Sequence, residues 1–159
     1  MKKTLIIGYG NPDRQDDGVA YHILQKLAQQ LNHPAVQDPE EYLVPGLANP
    51  DLWFMLQLVP EISEIIAQYE RVCFVDAHTG AVPNDLNIEK LSACFQTSPL
   101  THHLTASSCL CLSDTLYHHA PESILVSVRG YAFKFTHELS PATEELAAQA
   151  VEAILAWLQ

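Results

Sequence analysis

The chain has 159 residues, 48% of them apolar, which suits one globular domain with a real core and argues against a disordered polypeptide. Nineteen Asp and Glu stand against eight Lys and Arg, a formal net charge of −11 that disfavours nucleic acid as a partner, because phosphate contacts need clustered cations. No run approaches the roughly 20 apolar residues that cross a bilayer, and Thr4 to Ile7 after Met1-Lys2-Lys3 is too short for a signal-peptide core, so a cytoplasmic protein without membrane contact is expected.

Thr4 to Ile7 read as a short buried strand that ends in a turn at Gly8 and Gly10. From Asp17 to Gln30 the apolar residues Val19, Ala20, Ile23, Leu24, Leu27 and Ala28 follow helical spacing, with Asp16 as the candidate N-cap. Prolines 34, 39, 45, 50 and 60 interrupt Asn32 to Pro60, which predicts a short strand and a long connection. Pro60 to Tyr69 reads as a helix with proline at its start, and Arg71 to Val75 as a buried strand ending at Asp76. Leu86 to Leu91 predicts another strand, Leu104 to Tyr117 a helix, and Ile124 to Val128 a further apolar strand.

Tyr131 to Phe135 is open to two readings: an edge strand with Tyr131, Phe133 and Phe135 on one face, which is preferred, or a binding loop. Ser140-Pro141-Ala142-Thr143-Glu144 is a helix start and opens a long amphipathic helix to Leu158. Strands alternating with helices predict a single three-layer α/β/α domain over residues 1–159, with a mostly parallel, twisted sheet of about five strands.

The cysteines, Cys73, Cys94, Cys109 and Cys111, contain no C-x-x-C pair, and reduced thiols are expected. Cys73 reads as a small buried hydrophobe. Cys109 and Cys111 form a C-x-C, but on a helix they point about 200° apart, which disfavours a shared metal.

Two acidic sites follow apolar strands. One lies in Gly10-Asn11-Pro12-Asp13-Arg14-Gln15-Asp16-Asp17-Gly18, and the other is Asp76. If the two strands are central and parallel, their carboxylates share one rim of the sheet. The repulsion between them is relieved by a divalent cation, and an imidazole from His78, His102 or His103 completes a mixed N/O set suited to zinc or nickel. A dinucleotide-binding loop fails on its third glycine, where Asp13 stands, and Asp16 and Asp17 put negative charge where phosphate would sit. On residue types alone, the two glycines making a tight turn and the two acids capping a helix are an equal reading.

The segment Gly10-Asn11 through Asp16-Asp17-Gly18 after an N-terminal strand resembles the opening signature of the hydrogenase maturation proteases. Three later blocks resemble that family in the same order. They are Val75-Asp76-Ala77, Thr101-His102-His103-Leu104-Thr105, and Leu139-Ser140-Pro141-Ala142-Thr143 before a terminal helix. The resemblance implies metal ligands at Asp17, Asp76 and His102, which are also the catalytic set. His102 is chosen over His103 by its spacing to Leu104 and Thr105, and His78, His118, His119 and His137 are left as loop, surface or helix-end residues. The middle of the chain departs from the Gly-rich pattern of many members. Tyr42 to Pro50 holds only Gly46, and with Leu56 to Glu64 it looks like the branch that serves bidirectional hydrogenases.

The implied function is an endopeptidase that removes the C-terminal extension of a nickel-loaded [NiFe]-hydrogenase large-subunit precursor. The nickel is supplied by the substrate, with cadmium or zinc able to stand in for it, and the protease is expected to be a monomer. No Ser or Cys elbow surrounds Ser107, Ser108, Cys109 or Cys111, and no H-E-x-x-H helix exists. A module that binds the precursor without cutting it, and a small-molecule hydrolase or nucleotide binder on the same fold, are the alternatives.

Overall fold

In a computed structural model, which describes residues 2–39, 41, 43–94 and 104–159, the first apolar run forms strand β1 (Thr4–Tyr9). Leu5 and Ile7 point to one face and Ile6 to the other, all fully buried. A strand with no polar side is stable only when both faces are covered. In β3 (Arg71–His78) the same division recurs, with Val72 and Phe74 on the face of Leu5, and Cys73 and Val75 on that of Ile6.

Helix α1 (Val19–Leu31) presents Val19, Ala20, Ile23, Leu24 and Leu27 of the predicted stripe to the Ile6 face, and Ala28 is buried with them. It lies beside α4 (Pro141–Leu158), which adds Ala147, Ala150, Val151 and Ile154. The opposite face is covered by α2 (Ile62–Ile66) and α3 (Ala106–Tyr117) through Ile62, Ile66, Cys109 and Leu110.

The remaining strands are β2 (Asp51–Met55), β4 (Leu86–Leu91) and β5 (Glu122–Arg129). The sheet runs β2-β1-β3-β5-β4, parallel throughout except for β4, an antiparallel edge on β5. This is the expected three-layer α/β/α domain with five strands. Residues 32–60 supply the short strand, β2, next to β1. The helix expected over Pro60–Tyr69 is regular only at Ile62–Ile66, and α3 starts two residues later than Leu104 because Thr105 is its N-cap, accepting a 3.1 Å bond from the Ser108 N–H.

The edge strand expected at Tyr131–Phe135 does not form. This segment is a loop whose backbone donors are directed at side chains rather than at a neighbouring strand. Among the described residues no helix is long and apolar enough to cross a membrane.

Candidate functional site

The order β2-β1-β3 places the switch in strand order at β1, since the chain leaves it for β2 on one side and later adds β3 on the other. The crevice beyond the carboxyl ends at such a switch point is where parallel α/β sheets bind ligands. Both acidic segments arrive there. A cavity of about 660 Å³ opens at this rim, and Tyr9, Asn11, Arg14, Asp17, Asp76 and Thr105 are among its lining residues.

The Gly-Asn turn after β1 builds the first half of the site. Gly10 has φ of 141°, and a Cβ there would lie 2.2 Å from the Asp17 carbonyl oxygen. Only glycine lets the turn close so tightly on the 3₁₀ helix of Gln15–Gly18. Asn11 then fixes the fold-back. Its N–H donates to Asp17 Oδ2 at 2.9 Å, and its side-chain oxygen accepts from the Asp13 N–H at 3.0 Å. Asp17 is thereby aimed at the cavity, and its second oxygen takes no hydrogen bond among the described residues. Gly10→Ala is expected to cost about 3 kcal/mol in urea unfolding, because both the φ and the clash must be relieved. A loss below about 1 kcal/mol would contradict this account of the turn.

Asp76 comes from within β3 and not from the loop after it. Side chains alternate along a strand, so Asp76 follows Val72 and Phe74 onto the α2/α3 face, and Tyr9 follows Leu5 and Ile7 onto the same face. Gly8 pairs with Val75, so Tyr9 and Asp76 stand level across the β1/β3 junction. The Tyr9 hydroxyl hydrogen-bonds to Asp76, and the Ala77 N–H donates to Asp76 Oδ1 at 2.7 Å. Burial pushes the Asp76 carboxyl up to about 7, and the charge of Asp17 adds to the rise against those two bonds. Burial also raises the Tyr9 hydroxyl well above its usual value, with Asp76 adding to it, so the phenol stays a donor. Two carboxylates lining one cavity are a natural partner for a divalent cation.

Asp16 does not cap α1, contrary to the sequence expectation. Neither α1 nor the 3₁₀ helix before it has a side-chain cap. The fully buried Asp16 carboxylate turns instead toward the C-terminal part of the chain. It accepts from the Tyr131 and Ala132 N–H groups at 2.8 and 3.0 Å, and from the Ser140 N–H and hydroxyl at 2.8 and 2.6 Å. The Thr143 hydroxyl adds a bond of 2.9 Å. Asp16 thus serves the N-terminus of α4, where negative charge is favoured. Burial alone would raise its pKa, but the bonds from Ser140, Tyr131 and Ala132 outweigh that and hold it below the usual carboxylate range. The loop at 131–136 is further tied to the opening turn by Gln15 N–H to Thr136 O at 2.9 Å and Lys134 N–H to Gln15 Oε1 at 3.1 Å. The neighbour of Asp17 is therefore the clamp that positions it.

Of the three residues assigned by resemblance, Asp17 and Asp76 share one cavity, while His102, with its rival His103, lies outside the described residues. Among the described residues no three His, Cys, Asp or Glu side chains converge as a metal set. Cys109 is buried on α3 and Cys111 half-buried, and no disulfide joins any of the four cysteines. Ser108 is buried in the α3 cap rather than poised as a nucleophile. His78 is not a loop histidine. It ends β3 and is held between Asp85 O and the Gly80 N–H at 3.1 and 3.0 Å. His118 is the C-cap of α3, and His137, beside Asp13, is largely exposed. Reading by residue type missed Tyr9, Asn11 and Arg14. Their only signal was position in the Gly-Asn motif.

Fold and site together define a doubly wound α/β domain with a carboxylate pair at its switch point. No family model and no curated protein matches the chain. Solved structures do. A [NiFe] hydrogenase maturation protease HybD from Thermococcus kodakarensis is 15% identical with a TM-score of 0.66, covering 99% of both chains. HycI from Thermococcus kodakarensis KOD1 is 18% identical with a TM-score of 0.68, covering 99% of this chain and 92% of its own. The hydrogenase maturating endopeptidase HybD from E. coli is 18% identical with a TM-score of 0.63, over 98% and 91%. The fold is that of the hydrogenase maturation proteases.

Proposed function

We propose that this protein is a hydrogenase maturation endopeptidase, which removes the C-terminal extension of a [NiFe]-hydrogenase large-subunit precursor already carrying nickel. The observation that carries the reading is the pairing of Asp17 and Asp76 in one cavity at the switch point of this fold. Leu104 and Thr105, which follow His102-His103 directly in sequence, line the same cavity. In this reading Asp17, Asp76 and His102 take the substrate's nickel between two carboxylates and an imidazole, a donor set suited to that ion. Holding the metal end of the precursor places the adjoining peptide at the rim, where water adds to the carbonyl and the C–N bond breaks. The middle segment supports a bidirectional hydrogenase as the source of the precursor, and the protein acts as a cytoplasmic monomer.

Mixing the purified protein with nickel-loaded precursor and measuring the mass of the precursor C-terminus tests this. The extension is expected to be lost with the wild type. It should be retained with Asp17→Ala, with His102→Ala and with nickel-free precursor. Cutting by both variants at the normal rate would sink the assignment. A second reading, a module that binds the loaded precursor without cutting, is favoured by the lack of any nucleophile–base pair among the described residues of the site. It predicts complex formation with an intact precursor. A nucleotide binder is opposed by the two carboxylates at the rim, and stabilisation by nucleotide but not by nickel, cadmium or zinc would revive it.

A further inference from the structure

Resting on that reading, we infer that Arg14 is a specificity residue that pairs with a carboxylate of the bound polypeptide, so that the preferred precursor carries an acid close to its metal-bearing end. Among the described residues Arg14 is the single basic side chain lining the cavity that holds Asp17 and Asp76. The chain has only eight Lys and Arg against nineteen acids, so a cation at this rim stands out from a negative surround. Its backbone is held on three sides. The Arg14 N–H donates to Asn11 O at 3.1 Å, the Arg14 carbonyl accepts from Asp17 N–H at 3.1 Å, and a bridge joins Arg14 to Thr136. The side chain therefore leaves from the same tight turn that aims Asp17.

Despite this closeness Arg14 is not spent on the acids around it. Among the described residues its guanidinium makes no ion pair and no side-chain hydrogen bond. An arginine whose only role was to neutralise the pair would sit on one of them. An exposed guanidinium with an open fork on the lining of a cavity is suited to a bidentate carboxylate partner. Two carboxylates lining the same space repel any acidic ligand, so an acidic peptide binds there only where this counter-charge meets it. The carboxylate can be an acidic side chain or the free end of the extension.

The test uses the full protein and nickel-loaded precursors. Arg14→Glu is expected to lower kcat/KM for processing about 30-fold or more, mainly through KM, and Arg14→Lys to fall between it and the wild type because lysine keeps the charge but not the fork. Precursors with single Asp or Glu residues near the cut changed to Lys form one arm, and a precursor lengthened at its C-terminus by four glycines forms the other. One of these is expected to be cut poorly by the wild type, and an acid-to-Lys precursor that Arg14→Glu cuts better than the wild type does would identify a side-chain partner. If only the lengthened precursor loses the advantage of Arg14, the partner is the terminal carboxylate. Processing by Arg14→Glu at the wild-type rate overturns the inference. So does a defect of equal size on every precursor, provided that thermal melting shows the variant folded. A wild type that neither cuts nor binds loaded precursor overturns the functional reading itself, which is distinct from an active wild type indifferent to Arg14.

Discussion

Asp16→Ala is expected to destabilise the protein by about 4 kcal/mol, the size seen when one member of a buried charged network is removed. Five donors converge on this carboxylate: the N–H groups of Tyr131, Ala132 and Ser140, and the hydroxyls of Ser140 and Thr143. Alanine leaves them facing a dry hole, and each buried donor without a partner costs about 1–3 kcal/mol unless water enters. Asp16→Asn should recover little, because its amide brings two more donors to a site that has only donors. Asp17→Ala, one residue on, should lose less than about 1 kcal/mol, since Asp17 is only half-buried and holds a single side-chain bond among the described residues.

The acid side of the stability profile carries the same signature. The folded pKa of Asp16 is lowered, so its contribution is complete above the unfolded value of about 4 and drains away as pH falls through the lowered folded value. Urea unfolding followed by circular dichroism, repeated from about pH 7 to pH 3, reads both effects. A loss below about 1 kcal/mol for Asp16→Ala at neutral pH would contradict the clamp.

This clamp also marks the limit of what the sequence discloses. Helical spacing identifies α1 and α4, apolar runs identify β1, β3 and β5, and their alternation yields the layered sheet, because burial on two faces writes itself into local pattern. A contact between Asp16 and Ser140 spans 124 positions and has no local pattern. Local reasoning therefore assigns Asp16 to the nearest helix start, which is the wrong helix. The resemblance of Leu139 to Thr143 to a family block was legible, but its physical reason, Ser140 and Thr143 closing on Asp16, was not. The aromatic run at Tyr131–Phe135 misleads for a related cause. Its alternation imitates a strand, yet its backbone is occupied by Asp16 and Gln15, and Phe135 is left 90% exposed. For the site itself, strand ends bring Asp17 and Asp76 together on paper. The histidine was selected by motif spacing alone, and it falls outside the described residues.

Asp76→Asn is expected to make the protein more stable at about pH 8 and unable to process its precursor. The Asp76 carboxyl holds its proton to about 7 in the folded chain and only to about 4 when unfolded. Between these values the fold binds the extra proton, so ionisation of Asp76 subtracts stability as pH rises through the window. Three units correspond to about 4 kcal/mol, which opening of the carboxylate onto the cavity reduces to about 2 kcal/mol. Asparagine keeps an oxygen for the Ala77 N–H and the Tyr9 hydroxyl while removing the charge. The variant should therefore melt about 5 °C above the wild type near pH 8 and level with it near pH 4. A cation would invert the order, because it binds the ionised pair and stabilises only the wild type, with release of a proton near neutral pH. Melting curves with and without cadmium at the two pH values, beside the precursor mass assay, separate the two roles of the residue. Equal stability near pH 8 would remove the argument that Asp76 is charged against the preference of the fold, and with it the reason to regard this half-buried acid as kept for a ligand.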